Sequence, residues 1–240
     1  MIKEIGIILS RTPYGTDSVI LNILSASGIN SGIRKGVSQN KKNVHPAETQ
    51  VGAIVEYVLS PHSHSGTIPY IKEMTFLPTH PINVPLSPLR GAQKLFMCDI
   101  TRVSIRGNID DAPLYCLLEK YLSSLHDSQC DFLCMSYAYH LCEALGFKVN
   151  DSAQSDMYFD MCEGILTPTL PSHKYYLTPQ NSRLFFSLGK TPEENPTYTL
   201  SQWEKVWHIL MTYYSLHVTD FHIPRSLSYL KEISRLEFFQ

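Results

Sequence analysis

Four prolines fall within eleven residues of this chain, at Pro78, Pro81, Pro85 and Pro88. Proline fixes φ and removes a backbone donor, so neither a helix nor a strand survives at that density. We therefore predict a domain boundary here, between residues 1–80 and residues 81–240. With 240 residues, 43% of them hydrophobic, the chain is long enough for one large or two small domains with a buried core.

Before the prolines, short apolar segments alternate with turns at residues 5–9, 19–24, 29–37, 51–59 and 68–77. Their β-branched composition and period-two pattern predict five strands, with the first turn at residues 12–16. Five strands in about 80 residues fit a small closed barrel of the OB type, which leaves no open sheet edge.

After the prolines, the apolar spacing changes to three and four residues, which predicts helices. The first starts at Ser87 and Pro88, and later helices cover about 111–125, 130–145, 201–216 and 225–236. Gly146 is the predicted stop of the third helix, and Ser201 to Glu204 is a predicted capping box. Residues 147–198 are an irregular insertion with a short hairpin at 175–188. The fold class is therefore α+β, a five-stranded OB-type barrel followed by a mostly helical domain.

The segment that most strongly indicates a function runs from Ser31 to Lys42, where a predicted half-buried strand is followed by a basic, turn-rich loop. Its four cations are Arg34, Lys35, Lys41 and Lys42. They lie in a window, residues 19–47, that contains no Asp or Glu, in a chain whose formal net charge is only -2. A charge run is usually a solvated face. Cations placed on a barrel strand and on the loop that follows it nevertheless favour the binding of a polyanion.

The sequence offers no credible catalytic constellation, so we expect a protein that is not an enzyme and holds no cofactor or metal. Gly189 to Thr191 lacks the first glycine of a phosphate-binding loop, and His62 and His64 have no third metal ligand nearby. The six cysteines form no Cys-x-x-Cys pair and are predicted to be reduced thiols. No stretch approaches the roughly 18 apolar residues of a membrane span, so cytoplasm is the expected compartment.

Six short motifs follow one another over nearly the whole chain: GIILSRTPYG at 6–15, IRKGV at 33–37, IKE at 71–73, LGF at 145–147, YFD with EG at 158–164, and RSLSYL at 225–230. In this order and spacing they resemble the RecO family of bacterial recombination mediators. The resemblance implies an OB-fold joined to a helical domain that binds single- and double-stranded DNA without sequence preference and anneals complementary strands. It also implies two partners, a RecR-like protein and the acidic tail of the single-stranded DNA-binding protein, and help in loading the recombinase RecA.

Two sets of candidate site residues follow. The expected DNA-binding residues are Arg11, Tyr14, Arg34, Lys35, Lys41, Lys42 and Lys72. The expected partner-binding cations lie on the first long helix, with Leu95 and Val103 as an apolar socket; these cations are Arg90, Lys94, Arg102 and Arg106.

The chain departs from the family pattern in residues 147–198, where many members carry a zinc knuckle built on Cys-x-x-Cys. Only Cys162 and His173 are present here, too few for a tetrahedral site. Two alternatives remain at this point. One is a general OB-fold oligonucleotide or RNA-binding protein without recombination partners; the other is a metal-dependent nuclease, which needs clustered carboxylates that residues 1–80 do not offer.

Overall fold

The computed structural model describes residues 3–37, 46–61, 67–105, 111–126, 132–147, 157–190 and 198–238. Within these ranges an antiparallel five-stranded sheet precedes a set of helices, which confirms the predicted α+β class. No helix among the described residues is long and apolar enough to cross a membrane.

The first sheet has the strand order β3-β2-β1-β4-β5. Its strands are β1 (Lys3–Tyr14), β2 (Ser18–Ser25), β3 (Gly28–Lys35), β4 (Ile54–Leu59) and β5 (Ile71–Phe76). All five predicted strands are confirmed, but β1 extends to Tyr14, so the turn lies at residues 15–17 rather than at 12–16. Its last residues, Ser10 to Tyr14, pair only with β2, so Pro13 lies where one side of the strand has no partner and its missing N–H costs nothing.

The barrel is closed less completely than expected. The two outer strands, β3 and β5, meet through one parallel bridge between Ile33 and Tyr70, where the Ile33 N–H donates to the Pro69 carbonyl at 2.8 Å. Within the described residues these two strands form no continuous ladder. Gly32 permits the approach, because a Cβ at this position would lie 2.6 Å from the Ile71 side chain.

The helices are α1 (Pro88–Ser104), α2 (Asp111–Ser124), α3 (Leu133–Ala144), α4 (Pro179–Phe186), α5 (Leu200–His217) and α6 (Ser226–Phe238). Ser87 caps α1, and Gly146 follows α3 with a positive φ of 88°, both as predicted. The predicted cap of α5 is wrong. Thr199 and Gln202 form the capping box instead, since the Thr199 hydroxyl accepts the Gln202 N–H.

The insertion contains a small sheet of order β7-β6-β8, made of β6 (Tyr158–Asp160), β7 (Ile165–Thr167) and β8 (Tyr176–Leu177). The predicted hairpin at 175–188 is wrong. Thr178 accepts the Asn181 N–H and Pro179 occupies the first turn, so the chain enters α4 directly after β8.

Two hydrophobic clusters fill the molecule. One lies inside the sheet and includes Ile8, Val55 and Tyr57. The larger one fills the helical part, where Trp203 and Trp207 are fully buried, and also takes in Ile7 and Leu24 from the sheet. The sheet therefore packs one of its sides on the helices, and the division at residue 80 stays a prediction.

Candidate nucleic-acid interface

The two cations at the end of β3 have opposite environments, because successive strand residues point to opposite faces. Arg34 turns towards the short 3₁₀ helix Pro46–Thr49, where its guanidinium lies 3.5 Å from the Glu48 carboxylate. Both side chains are only 13% exposed. Glu48 is the first acid after the acid-free window at residues 19–47. This acid, one position beyond the window, neutralises the charge of Arg34.

Lys35 points outward and lies over an aromatic ring. Its Nζ is 4.1 Å from the ring centroid of Tyr70, a cation–π contact. Tyr70 is held in place by the closing bridge and by its own N–H, which donates to the Ser60 hydroxyl at 2.9 Å. A cation and a fixed, 45% exposed aromatic ring therefore share one surface.

This surface borders a groove of about 400 Å³, which we call the seam groove because it follows the closure between β3 and β5. It is lined by Tyr14, Ile33, Ser60, Thr67, Ile68, Pro69 and Tyr70. Tyr14 is 51% exposed and Ile68 is 40% exposed, so the groove presents apolar and aromatic side chains to solvent. Such a surface offers rings on which flat, unstacked bases can lie.

Of the other predicted DNA-binding residues, two lie within three residues of a groove-lining tyrosine in the sequence. Arg11 is exposed on β1, three residues before Tyr14, and Lys72 is exposed on β5, two residues after Tyr70. The β4–β5 register shifts at this point, which leaves Lys72 and Glu73 both outside the barrel. Lys41 and Lys42 lie outside the described residues.

Lys94, predicted as a partner-binding cation, is half-buried against the segments at 52 and 82. Its Nζ donates to the Ile82 carbonyl at 2.6 Å, and its methylene groups pack on Gly52, where a Cβ would lie 2.5 Å from Lys94 Cε. Burial lowers the pKa of this amine. The side chain therefore joins α1 to the segments at 52 and 82.

Arg102 is bound to an acid on its own helix, since its Nη2 donates to Asp99 at 2.7 Å. Asp99 also accepts the N–H and hydroxyl of Ser226 at the start of α6. Although partial burial opposes it, these hydrogen bonds lower the pKa of Asp99. Arg90 is half-buried on α1, and Arg106 lies outside the described residues. The predicted partner site on α1 is therefore less cationic than its sequence indicates.

Two hollows lie between the sheet and the helices. The first, the helix groove, has a volume of about 700 Å³ and is lined mainly by apolar side chains, including Val51, Phe76 and Leu95. The second, the cationic cleft, has about 670 Å³ and is lined by Arg11, Arg102, His222 and Arg225, among others. Val51, Leu95, Ser226 and Tyr229 border both hollows. Leu95 is exposed as the socket prediction requires, but Val103 is buried in the protein.

The turn between β6 and β7 brings together Asp160, Cys162 and His173, where the resemblance implies a zinc knuckle. Asp160 accepts the N–H groups of Cys162 and Glu163, at 2.9 and 3.1 Å, and its second oxygen lies 3.0 Å from His173 Nε2.

The side chains at this turn are already engaged without a metal. His173 Nδ1 accepts the Tyr175 N–H at 3.2 Å, and the Cys162 sulfur is 4.0 Å away from it. Burial, Asp160 and Glu163 raise the pKa of the Cys162 thiol, whereas a zinc ligand is a thiolate. Three donors, with both imidazole nitrogens hydrogen-bonded, fit a hydrogen-bonded turn better than a four-ligand structural zinc site.

Sequence reasoning missed three residues that shape these sites: Tyr70, Glu48 and Asp160. Tyr70 lies within the predicted strand at 68–77 and carries no charge to mark it. Glu48 was visible as the acid that ends the acid-free window. Asp160 stands two residues before Cys162, a spacing that could have identified it as a companion of Cys162 at a tight turn.

The comparisons with known proteins agree along the chain. Residues 1–77 match the family model described as Recombination protein O N terminal. The chain is 29% identical to a DNA repair protein RecO from Flavobacterium psychrophilum, over 97% of this chain and 98% of that protein. It is 25% identical to the one from Bacteroides fragilis, over 96% and 98%, and 26% identical to the one from Christiangramia forsetii, over 97% and 99%.

The resemblance read from the six motifs is thus confirmed by a family match over the barrel and by relatives that align from end to end. Over nearly its whole length this chain is similar to proteins of the RecO family.

Proposed function

We propose that this chain is a DNA repair and recombination mediator that binds single- and double-stranded DNA without sequence preference and anneals complementary strands. Its relatives carry the name DNA repair protein. The observation that supports the binding role is the seam groove, where Lys35 and Tyr70 present a cation and an exposed ring side by side. Proteins that bind single strands without sequence preference combine these two elements, since every base has a face to stack and every nucleotide carries a phosphate.

The chemistry of such a mediator is binding and release, and no covalent step is required. Lys35, Lys72 and Arg11 act on the phosphates, and Tyr14 and Tyr70 act on the bases. Exchange of a coating protein for the recombinase RecA is then a competition for the same strand. A RecR-like protein and the acidic tail of the single-stranded DNA-binding protein are the proposed partners, with Leu95, Arg90 and Arg102 on α1 as the proposed place for the tail.

The binding role is tested by fluorescence anisotropy of a labelled single strand at several salt concentrations. Replacing Lys35 with Gln should flatten the slope of log affinity against log salt by about 0.7, because one phosphate contact is lost. Arg235→Gln is the matched control, since Arg235 is bound to Glu204 on the helical part. An equal slope for the wild type and Lys35→Gln would remove the seam groove from the DNA site.

The mediator role is separated from that of a general oligonucleotide-binding protein by titrating a labelled acidic peptide that ends in phenylalanine. The proposal expects saturable binding that Arg102→Glu weakens, with unchanged circular dichroism. Tight single-strand binding with no affinity for the peptide or for a RecR-like ring would favour the general OB-fold protein.

A further inference from the structure

The cationic cleft is lined by more arginines than its acidic lining can neutralise. Arg102 is bound to Asp99, but Arg11 and Arg225 have no carboxylate partner among the described residues. Asp99 is the one acid that lines the cleft, and its oxygens are taken by Arg102 and Ser226. The two remaining guanidinium groups are exposed and available to an anion.

The cleft and the seam groove are both lined by residues from the end of β1. Arg11 and Thr12 line the cleft, whereas Tyr14 lines the seam groove. The strand rises by about 3.3 Å per residue, so about 10 Å separates Arg11 from Tyr14. A single extended ligand can therefore contact both hollows by crossing this part of β1.

The far wall of the cleft carries an aromatic ring. Tyr229 on α6 is 69% exposed and lines the cleft together with Arg225. A cation beside an exposed ring repeats the pairing of Lys35 with Tyr70 in the seam groove. An alternating series of rings and cations along one path fits a nucleic acid, whose bases and phosphates alternate, better than a peptide with its charges at one end.

We propose that a single-stranded nucleic acid leaves the seam groove, crosses the end of β1 and enters the cationic cleft, where Arg11 and Arg225 contact phosphates and Tyr229 stacks on a base. This inference rests on the proposed DNA-binding function and extends it to the helical part. A strand bound in this way touches both parts of the molecule, whereas a very short strand is held at the seam alone.

The test compares Arg225→Gln, which lies directly before α6, with the matched control Arg235→Gln on α6. It uses a thymidine 20-mer and a thymidine tetranucleotide. OB folds hold about 4–16 nucleotides, so the tetranucleotide is near the lower limit of one barrel. We expect Arg225→Gln to flatten the salt slope by about 0.7 with the 20-mer and to leave tetranucleotide binding unchanged. Tyr229→Ala should weaken binding of the 20-mer only.

Equal 20-mer slopes for Arg225→Gln and wild type would overturn the extended path, and a remaining effect of Lys35→Gln would show that the proposed function still stands. Loss of acidic-peptide binding in Arg225→Gln with unchanged 20-mer binding would also overturn it, because the cleft would then serve a peptide. Failure of the wild-type protein to bind either oligonucleotide would overturn both the path and the proposed function.

Discussion

Two lysines, Lys35 and Lys94, show how differently the same charge is used in two parts of the molecule. Lys35 lies at the seam groove, outside the barrel and over the ring of Tyr70. Lys94 lies on α1 against the sheet, with its ammonium on the Ile82 carbonyl and its pKa lowered by burial. The first is free to meet a phosphate, whereas the second holds the helix to the barrel. Availability of a cation is therefore decided by burial and by the acceptors around it rather than by its presence in a basic stretch.

The largest expected effect separates these two lysines. Lys94→Glu would place a carboxylate against the Ile82 carbonyl, and we expect the free energy of unfolding to fall by about 3–5 kcal/mol, as for a buried charge without a partner. Lys35→Glu should change it by less than about 0.5 kcal/mol, because the side chain is exposed. Urea unfolding followed by circular dichroism measures both. Equal stability of the two variants would break the comparison.

The next effect concerns the ion pair of Arg34 with Glu48. Arg34→Gln removes one partner of a mostly buried pair, so we expect a loss of about 2–3 kcal/mol in stability. The salt slope of single-strand binding should stay unchanged, because this guanidinium is already neutralised by Glu48. If Arg34→Gln flattens the slope as much as Lys35→Gln, the pair opens when DNA binds and both cations contact phosphate.

Tyr70 tests the aromatic half of the seam groove. Tyr70→Ala should weaken single-strand binding by about 1–3 kcal/mol, the contribution of one stacked base, and Tyr70→Phe should restore most of it. Tyr175→Ala is the matched control, because Lys174 lies 5.2 Å above the ring of Tyr175 in the insertion, away from the barrel. Anisotropy titrations give the three affinities. A similar loss for the Tyr70 and Tyr175 variants would mean that the ring at the seam has no special role.

The smallest effect tests the hydrogen-bonded turn at Asp160. Partial burial raises the pKa of this carboxyl but its hydrogen bonds lower it further, so the folded value lies below the ordinary one. Its contribution is therefore present at neutral pH and is lost as the pH falls below about 4. Asp160→Asn should cost about 1 kcal/mol at pH 7, and the difference from wild type should shrink at pH 3.

Elemental analysis provides the companion measurement for this turn. We expect no stoichiometric zinc and an unchanged melting temperature in chelator, because His173 and Cys162 are engaged as described above. One zinc per chain, lost together with stability in Cys162→Ser, would contradict this account.

The fold was largely readable from sequence because its signals are local. The strand periodicity and the caps at Ser87 and Gly146 each depend on a few neighbouring residues, and all were found. The capping box of α5 was misplaced because two overlapping frames, at Thr199 and at Ser201, satisfy the same local pattern. Closure of the barrel by a single bridge depends on a contact between β3 and β5, which lie far apart in sequence.

The site was harder to predict from the sequence, because the accessibility of each cation depends on which distant segments pack against it. Helical periodicity places Lys94 away from the buried stripe of Ala92 and Phe96, but the segments at Gly52 and Ile82 cover it. Tyr70 acquires a role only when β3 brings Lys35 above its ring. The local sequence pattern thus predicted the strand that carries the cations. Tertiary packing determines which of these cations is accessible to a ligand.

The central claim, that bases of a single strand lie on the seam groove, is tested most directly by photocrosslinking. A strand substituted with iodouracil is irradiated in complex with the protein, and the modified peptide is identified by mass spectrometry. The account predicts crosslinks at Tyr70 and Tyr14, which disappear in competition with unlabelled single strand. Crosslinks confined to the helical part, with none at either tyrosine, would contradict it.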